Sequence, residues 1–379
     1  MIPKIAIPDA DLALPEVVQA KALLDSASAL DAAGRLAEQY DPRHLPPSVA
    51  NLVGARLYAE GRPAEALPYF AHAASHATMT SEYSCNEGSA LLLVDRPRES
   101  AHAYLRSLRG DRTLWEAHYW AWGAFNRLGI SRDVIGCLRQ ALDNDPAQRD
   151  FTADGNGLAL ADVTLCVIDC TVPDLAARAL RRSMAHCRFA EVKLLTSRNV
   201  RYDGIETVAI DHLASIEEYS RFVMKSLWQY ISTSHVLVTQ WDGYVTNPSA
   251  WTNQFLDFDY IGARWAGEVV TERGSPPTHD VGNGGFSLRS DIFLGAGQDP
   301  RLVETHPEDT HLAGTYRPCL ERDYGIRFAD SALAERFSFE IMRPVQTPFG
   351  FHGCFNLCSF EADPKWMRFE FLRPDIFAP

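Results

Sequence analysis

The segment His235-Val-Leu-Val-Thr-Gln-Trp-Asp-Gly-Tyr244 joins a short apolar run to a carboxylate and a glycine. Its first five residues have the length and the β-branched composition of a buried strand. In an open α/β sheet, ligands lie beyond the carboxyl ends of the strands. Asp242 is therefore predicted to lie where a ligand or a metal ion would be held. Gly243 is expected to permit an unusual backbone turn beside it.

The chain around this strand alternates between strand-like and helix-like patterns. Strands are predicted at Val163–Cys170, Val192–Thr196 and Glu206–Ile210, and helices at Pro173–His186 and Ile216–Ile231. Such alternation predicts an α/β fold, in which helices flank a mostly parallel sheet on both faces. We take residues 151–379 as this α/β domain and residues 1–150 as a separate all-α domain.

The composition limits the classes of function. A chain of 379 residues is long enough for two domains, and its 46% apolar and 22% charged content is that of a globular protein. A net charge of −13 argues against nucleic acid and anionic lipid as partners. The sequence shows neither an apolar run of about 18 to 20 residues nor a secretory leader. Its eight cysteines are scattered, so we expect a cytoplasmic protein.

A 34-residue period runs through the all-α region. Gly61-Arg-Pro-Ala-Glu-Ala66 is repeated as Asp95-Arg-Pro-Arg-Glu-Ser100 and, more weakly, as Gly129-Ile-Ser-Arg-Asp-Val134. Small residues recur at fixed offsets from these turns and would let paired helices approach closely; they are Ala55, Ser89, Gly123, Ala73, Ser107 and Ala141. The pattern predicts a series of helical hairpins.

Helix–turn–helix units of about 34 residues are the tetratricopeptide period. Residues 52–76 and 115–146 resemble such repeats, and an earlier, degenerate copy is expected at residues 15–42. The resemblance implies three or four repeats whose concave surface recruits a peptide, a protein partner or an acceptor. The alternative is a helical cap that binds nothing.

A series of short motifs in the second half carries a further resemblance. In order, they are Tyr219-Ser-Arg-Phe222, Gln240-Trp-Asp-Gly243, Asp259-Tyr-Ile-Gly262, Asn283-Gly-Gly285 and Phe349-Gly-Phe-His-Gly353. Residues 163–356 resemble the Rossmann-like GT-A type of glycosyltransferase domain, and more closely a bacterial and eukaryotic domain family with these motifs. The resemblance implies a nucleotide-sugar donor, foremost a UDP-sugar. It implies a glycan, a peptide or protein, or a small molecule as the acceptor.

The same resemblance implies a divalent cation on the donor diphosphate. Asp242 and His352 match the positions that hold Mn²⁺ or Mg²⁺ in GT-A enzymes, where the cation stabilises the leaving diphosphate as a Lewis acid. Position 240 is Gln where the usual pattern has a second acid, so a cation would be held less strongly. The alternatives are a turn residue for Asp242 and a core histidine for His352.

Glu308 and Asp309 resemble the acidic pair that inverting GT-A enzymes place under the acceptor. An inverting transfer needs one base to remove the proton of the acceptor hydroxyl. We expect Asp309 to be that base, with Glu308 as the second candidate or as a group that orients the acceptor. Pro307 precedes them, so the alternative is a pair of carboxylates that stabilise a helix N-terminus.

Further donor or substrate contacts are expected from Asp169, Arg221, Lys225, Gln240, Trp241, Trp265, Asn283, Gly284, Gly285 and Arg289. Arg221 and Lys225 are four apart on one helix and could reach phosphates. The two glycines would allow positive φ and leave room for a sugar. Each has a structural alternative: a solvated basic face for the cations, a hairpin turn for the glycines and core packing for Trp265.

The sequence therefore predicts an inverting glycosyltransferase, assisted by a divalent cation, whose repeats recruit the acceptor or a partner. A second hypothesis makes the α/β domain catalytically silent and the whole chain a scaffold. A third treats four side chains as the ligands of a metal hydrolase, namely His306, Glu308, Asp309 and His311.

Overall fold

The computed structural model describes residues 41–76, 80–135, 157–265, 280–342 and 344–359, together with scattered positions between 12 and 22. These residues form two compact units, one of residues up to 135 and one of residues 157–357. Within the described ranges, no helix is long and apolar enough to cross a membrane. Almost all of the expected early repeat at 15–42, and Ala141 of the third repeat, lie outside them.

The first unit consists of helices in which each packs on the next along the chain. They are α1 (Pro47–Ala59), α2 (Pro63–His76), α3 (Thr80–Leu93), α4 (Pro97–Gly110) and α5 (Trp115–Arg127). The short connections make neighbouring helices antiparallel, as in a helical hairpin. The predicted helical repeats are confirmed.

The three predicted turns share one backbone conformation. Gly61, Asp95 and Gly129 have φ angles of 78°, 58° and 70°, which lie in the left-handed region. This conformation ends a helix without strain at glycine but costs another residue about 1–2 kcal/mol. Asp95 therefore carries strain that the two glycines do not. The 34-residue spacing is a repeat of structure as well as of sequence.

Two further glycines with the same period, Gly54 and Gly88, let the two helices of their hairpins approach closely. A Cβ atom on Gly54 would lie 2.9 Å from the ring of Phe70, and one on Gly88 would lie 2.9 Å from the ring of Tyr104. Gly54 and Gly88 lie on the first helix of their hairpins, and the two rings lie on the second. Each hairpin thus packs a buried aromatic ring directly on a helix backbone.

The second unit is built on a six-stranded sheet with the order β3-β2-β1-β4-β7-β6. Its strands are β1 (Leu158–Ile168), β2 (Cys187–Thr196), β3 (Glu206–Ala209), β4 (His235–Thr239), β6 (Tyr260–Ile261) and β7 (Phe286–Ser290). The first four in this order are parallel, and β7 is antiparallel to both β4 and β6. The predicted mostly parallel α/β sheet is confirmed.

Both faces of this sheet are covered. Leu165 and Val167 of β1 pack in one apolar cluster, whereas Cys166 and Ile168 pack in another. The first cluster includes residues of helix α6 (Pro173–Met184), and the second includes residues of helix α7 (Ile216–Lys225). Burial on both faces explains why these strands read as continuous apolar runs.

A three-stranded sheet, β5-β9-β8, lies beyond the end of β4 in the chain. Its strands are β5 (Tyr244–Val245), β8 (Ser338–Phe339) and β9 (Gly350–Phe351). Tyr244 pairs with Phe351, so the segment that carries Asp242 lies beside the segment that carries His352. The remaining helices are α8 (Asp291–Ala296), α9 (Glu308–Thr310), which continues as a π-helical turn at His311–Thr315, α10 (Arg317–Tyr324) and α11 (Ser331–Phe337).

Several predicted boundaries were wrong. β1 begins at Leu158, before the predicted Val163, because Leu158 pairs with Cys187, and it ends at Ile168 rather than at Cys170. That pairing also starts β2 at Cys187 rather than at Val192. The helix expected to run to Ile231 ends at Lys225 and is followed by a 3-10 turn at Leu227–Tyr230. In contrast, β4 has the predicted bounds.

Replacing Asp95 with Gly should stabilise the repeat unit by about 0.5–1 kcal/mol, because release of the left-handed strain outweighs the added chain entropy. The ion pair of Asp95 with Arg127 is long, at 3.8 Å, and Asp95 is 89% exposed, so its loss should matter little. The equivalent Gly61→Ala should destabilise the unit by about 1 kcal/mol, although its Cβ meets nothing within 4 Å. Urea unfolding would measure the free energy of unfolding of both variants. Changes of the same sign would contradict the left-handed strain assigned to Asp95.

Candidate functional site

The candidate site lies where the order of the sheet reverses. The chain passes from β1 outward to β2 and β3 and then returns to β4, on the other side of β1. In open α/β sheets, ligands bind at this switch point, beyond the carboxyl ends of the two central strands. Asp169 directly follows β1, and Gln240, Trp241 and Asp242 directly follow β4. The topology therefore brings these predicted residues to one edge of the sheet.

Asp242 and His352 face each other at this edge. Oδ1 of Asp242 lies 3.5 Å from Nε2 of His352, and Asp242 is only 7% exposed. This oxygen is buried and has no hydrogen-bond partner among the described residues. Burial raises the pKa of Asp242, and the nearby imidazole only partly offsets the rise. A buried carboxylate oxygen without a hydrogen bond is suited to a further positive group.

The imidazole of His352 has a partner at each ring nitrogen. Nδ1 lies 3.1 Å from Oε1 of Glu340, and Nε2 lies 3.2 Å from Oε1 of Gln240. Burial alone would lower the pKa of His352, but the carboxylates of Asp242 and Glu340 outweigh burial and raise it to about 9. The ring is thus held between two carboxylates.

The glycines of the site allow close contact rather than unusual φ angles. Gly243, Gly284 and Gly285 are not among the described residues with positive φ, so that expectation was wrong. A Cβ on Gly285 would lie 2.2 Å from Nε2 of His352, and one on Gly243 would lie 2.6 Å from the carbonyl oxygen of Phe351. At both positions an added Cβ would meet the protein itself.

Asp309 lies at the first of the two consecutive glycines. Its Oδ2 accepts the N–H of Gly284 at 2.8 Å, and its Oδ1 accepts the N–H of Thr310 at 2.7 Å. Burial, and then the negative charge of Glu308, raise the pKa of Asp309 to about 7. Asp309 thus accepts two backbone N–H groups, and its carboxyl exchanges protons near neutral pH.

Glu308 forms a buried ion pair with Arg289. Its Oε1 lies 3.1 Å from Nη2 of Arg289, and the two side chains are 8% and 1% exposed. Arg289 also donates to Ser287 and lies over the ring of Tyr260. The structure therefore places Arg289, an expected substrate contact, inside the core. Glu308 is thus paired with Arg289, whereas Asp309 accepts backbone N–H groups.

The two expected phosphate-binding cations point to partners within the protein. Nε of Arg221 donates to Glu304 at 2.6 Å, and Arg221 is exposed. Nζ of Lys225 donates to the carbonyl oxygens of Gly297 and Asp299, at 2.7 and 2.9 Å. These contacts tie helix α7 to the segment that follows α8. They do not bring either cation to the Asp242–His352 pair.

The other expected contacts have clear positions. Oδ1 of Asp169 accepts the N–H groups of Thr171 and Val172, each at 2.7 Å, just before helix α6 begins. Trp265 is 8% exposed and packs in an apolar cluster, where a Cβ on Gly282 would lie 2.1 Å from its ring. Trp241 is half-buried beside Asp242.

Glu340 belongs to the site but was not expected from the sequence. Its Oε2 accepts from Nδ2 of Asn283 at 2.8 Å, while its Oε1 faces His352. Oδ1 of Asn283 accepts the N–H of Gly285 at 3.2 Å. Glu340 directly follows strand β8, and Asp242 lies just before strand β5. Strand β8, however, has only two residues. So short a strand leaves no pattern that a sequence could reveal.

Residues 204–352 match the model of a family described as "Protein of unknown function (DUF5672)". No curated protein matches the chain. The matched region runs from just before β3 to His352, so it includes Asp242, Asn283, Asp309 and Glu340. The match thus covers most of the site residues but does not indicate an activity.

The donor set fits a hydrated divalent cation. Among the described residues, no group of three or more His, Cys, Asp or Glu side chains could hold a metal ion. This finding contradicts the metal-hydrolase hypothesis, which needs such a group around Glu308 and Asp309. Mg²⁺-type cations are usually held through one or two protein ligands, water and substrate phosphates. Oδ1 of Asp242, which accepts no hydrogen bond from the described residues, would supply such ligands together with Nε2 of His352 and the amide oxygen of Gln240.

Replacing Arg289 with Met should destabilise the second unit by about 3–5 kcal/mol, because Glu308 would remain buried without its counter-charge. The double variant R289M/E308M should recover most of this loss, since apolar side chains can replace a buried ion pair. Arg221→Met, which removes an exposed ion pair, should cost about 1 kcal/mol or less. Urea unfolding would measure all three. Equal losses in R289M and R221M would show that the buried pair does not stabilise the site.

Proposed function

We propose that the second unit is a GT-A-type glycosyltransferase. It would transfer a sugar from a nucleotide-diphosphate donor, foremost a UDP-sugar, to an acceptor hydroxyl with inversion. The observation that carries the proposal is the meeting of two groups at consecutive glycines: the Asp242–His352 pair at Gly285, and Asp309 at Gly284. This juxtaposition supports a cation site beside a base of suitable pKa.

On the donor side, Asp242 and His352 would hold a divalent cation, either Mn²⁺ or Mg²⁺. Such a cation supplies Lewis-acid stabilisation to a departing diphosphate. Oδ1 of Asp242 supports this role because it is buried and lacks a hydrogen bond among the described residues. Arg221 and Lys225 bond to other parts of the protein, so the charge of the phosphates would depend on the cation.

On the acceptor side, Asp309 would act as the base. As the acceptor oxygen forms its bond to the anomeric carbon, its proton passes to a carboxylate oxygen of Asp309. The bond from that carbon to the phosphate oxygen breaks, and its electron pair leaves with the nucleoside diphosphate. A single displacement inverts the anomeric carbon. A base with a pKa of about 7 suits proton transfer near neutral pH.

For the first unit, we propose tetratricopeptide-type repeats that recruit the acceptor or a protein partner. Support comes from the left-handed turns at Gly61, Asp95 and Gly129 and from a cavity of about 450 Å³ between helices α2, α3 and α4. Its lining combines apolar side chains such as Leu67 and Leu91 with several charged ones. A cytoplasmic location belongs to the same proposal.

A second candidate is a catalytically silent domain in a scaffold. Gln240, which stands where a second acid is usual, favours it, as does the small number of ionisable metal ligands among the described residues. The two candidates differ in one measurable respect, since a scaffold needs no nucleotide.

UDP, GDP, CDP or TDP should raise the melting temperature only when Mn²⁺ or Mg²⁺ is present, and we expect the largest shift with UDP. A ligand at 100 times its Kd stabilises the native state by about 2.7 kcal/mol. EDTA and Asp242→Ala should abolish the shift, whereas the exposed Asp203→Ala should preserve it. The measurement is a thermal-shift panel on the full chain. If no nucleotide stabilises the wild type with either metal, the scaffold becomes the better conclusion.

Asp309→Asn should lower kcat by a factor of about 10²–10⁴, the usual contribution of a general base. In the wild type, kcat/KM should rise with pH and level off above about 7, because the carboxyl must lose its proton before it can act as a base. Steady-state transfer from the nucleotide sugar that gives the largest thermal shift would test both. A D309N enzyme with wild-type kcat would exclude Asp309 as the base.

A further inference from the structure

We infer that Glu340 is a positioning residue, which holds the imidazole of His352 so that Nε2 points to the cation site. It would supply, through His352, the second carboxylate that Gln240 does not provide. The inference rests on the proposed function, because it concerns the cation of that same site.

Glu340 is held firmly in place. Its side chain is 18% exposed, and both carboxylate oxygens have partners: Oε1 lies 3.1 Å from Nδ1 of His352, and Oε2 accepts from Asn283 at 2.8 Å. Asn356 donates to the carbonyl oxygens of both Glu340 and His352, at 2.9 and 2.6 Å. Side chain and backbone of Glu340 are therefore tied to the histidine that they orient.

On the side away from Glu340, the backbone of Gly285 limits the position of the His352 ring. A Cβ there would lie 2.2 Å from Nε2 of His352, so the ring lies directly against the glycine. Between this backbone and Glu340, Nε2 faces Oδ1 of Asp242 at 3.5 Å and Oε1 of Gln240 at 3.2 Å. The position of the ring leaves Nε2 next to two oxygens that suit a hard cation.

A carboxylate at Nδ1 has a defined chemical effect. An imidazole that binds a metal through Nε2 keeps one proton, on Nδ1, and a carboxylate acceptor holds that proton there. Carboxylate partners of this kind orient ligating histidines and make them more basic, and their loss commonly lowers metal affinity. The amide of Gln240 adds no charge. Glu340, at Nδ1 of His352, thus provides the negative charge that Gln240 lacks.

Glu340 acts through His352 rather than as a ligand itself. Both of its oxygens are within hydrogen-bond distance of other side chains, and the oxygen nearer the site faces Nδ1, not Nε2. A direct ligand would contribute to affinity whether or not the histidine were present. A positioning residue would lose its effect when the histidine is removed.

The test is a double-mutant cycle of Mn²⁺ affinity, measured by electron paramagnetic resonance on the full chain without nucleotide. Glu340→Gln should weaken Mn²⁺ binding by a factor of about 10–100. In a His352→Ala background, the same change should alter affinity less than about twofold, because the two residues act as one unit. Glu335→Gln is the matched control, since Glu335 is exposed and pairs with Arg264. It should bind Mn²⁺ as the wild type does.

Three outcomes would overturn the inference: unchanged affinity in E340Q, an equal loss in both backgrounds, or a wild type that binds no Mn²⁺. The last would also remove the cation from the proposed function. The Mn²⁺ cycle could give the expected results while no nucleotide raises the melting temperature. That combination would reject the glycosyltransferase proposal but leave the role of Glu340 intact. Should E340Q fail to show a cooperative thermal transition, Glu340→Asp replaces it. That variant keeps the charge but shortens its reach, so it should weaken Mn²⁺ binding, and wild-type affinity would overturn the inference.

Discussion

The contact of His352 with the backbone of Gly285 is the constraint on which the site depends. The ring can reach Asp242 only because residue 285 has no side chain, and the pairing of β5 with β9 brings the two segments together. Glu340 then holds the ring from its other nitrogen. Three distant parts of the chain are thereby locked around one imidazole. A close-packed interior transmits any displacement of such a ring to all of its neighbours.

Pairing of buried charges organises the rest of the site. Glu308 is neutralised by Arg289, and His352 lies between Asp242 and Glu340. Burial of an ion without a partner is costly, so removal of one member of a pair should destabilise the fold. Asp309 is the exception, because its partners are backbone N–H groups. Burial and the negative charge of Glu308 raise its pKa to about 7, and Asp309 is the proposed base.

The sequence could predict those parts of the structure that depend on near neighbours. The run at His235–Thr239 is a strand because four apolar or β-branched residues follow His235 and all five are buried together. The 34-residue repeat was visible because each hairpin needs the same left-handed turn, which Gly61 and Gly129 adopt freely. The position of Asp242 followed from the end of the strand. The conformational role expected for the glycines was wrong, because steric contact, not φ, requires them.

The sequence by itself determined the two kinds of domain, the helical repeats, the parallel strands and the carboxylate beyond β4, since each arises from residues a few positions apart. Tertiary structure alone decided which groups meet. Gln240 and His352 are 112 residues apart, and Asn283 and Glu340 are 57 apart. Local periodicity carries no information about such distances. Only packing of the two sheets shows that Glu340 joins the site, that Arg289 is buried with Glu308, and that Asp309 remains available.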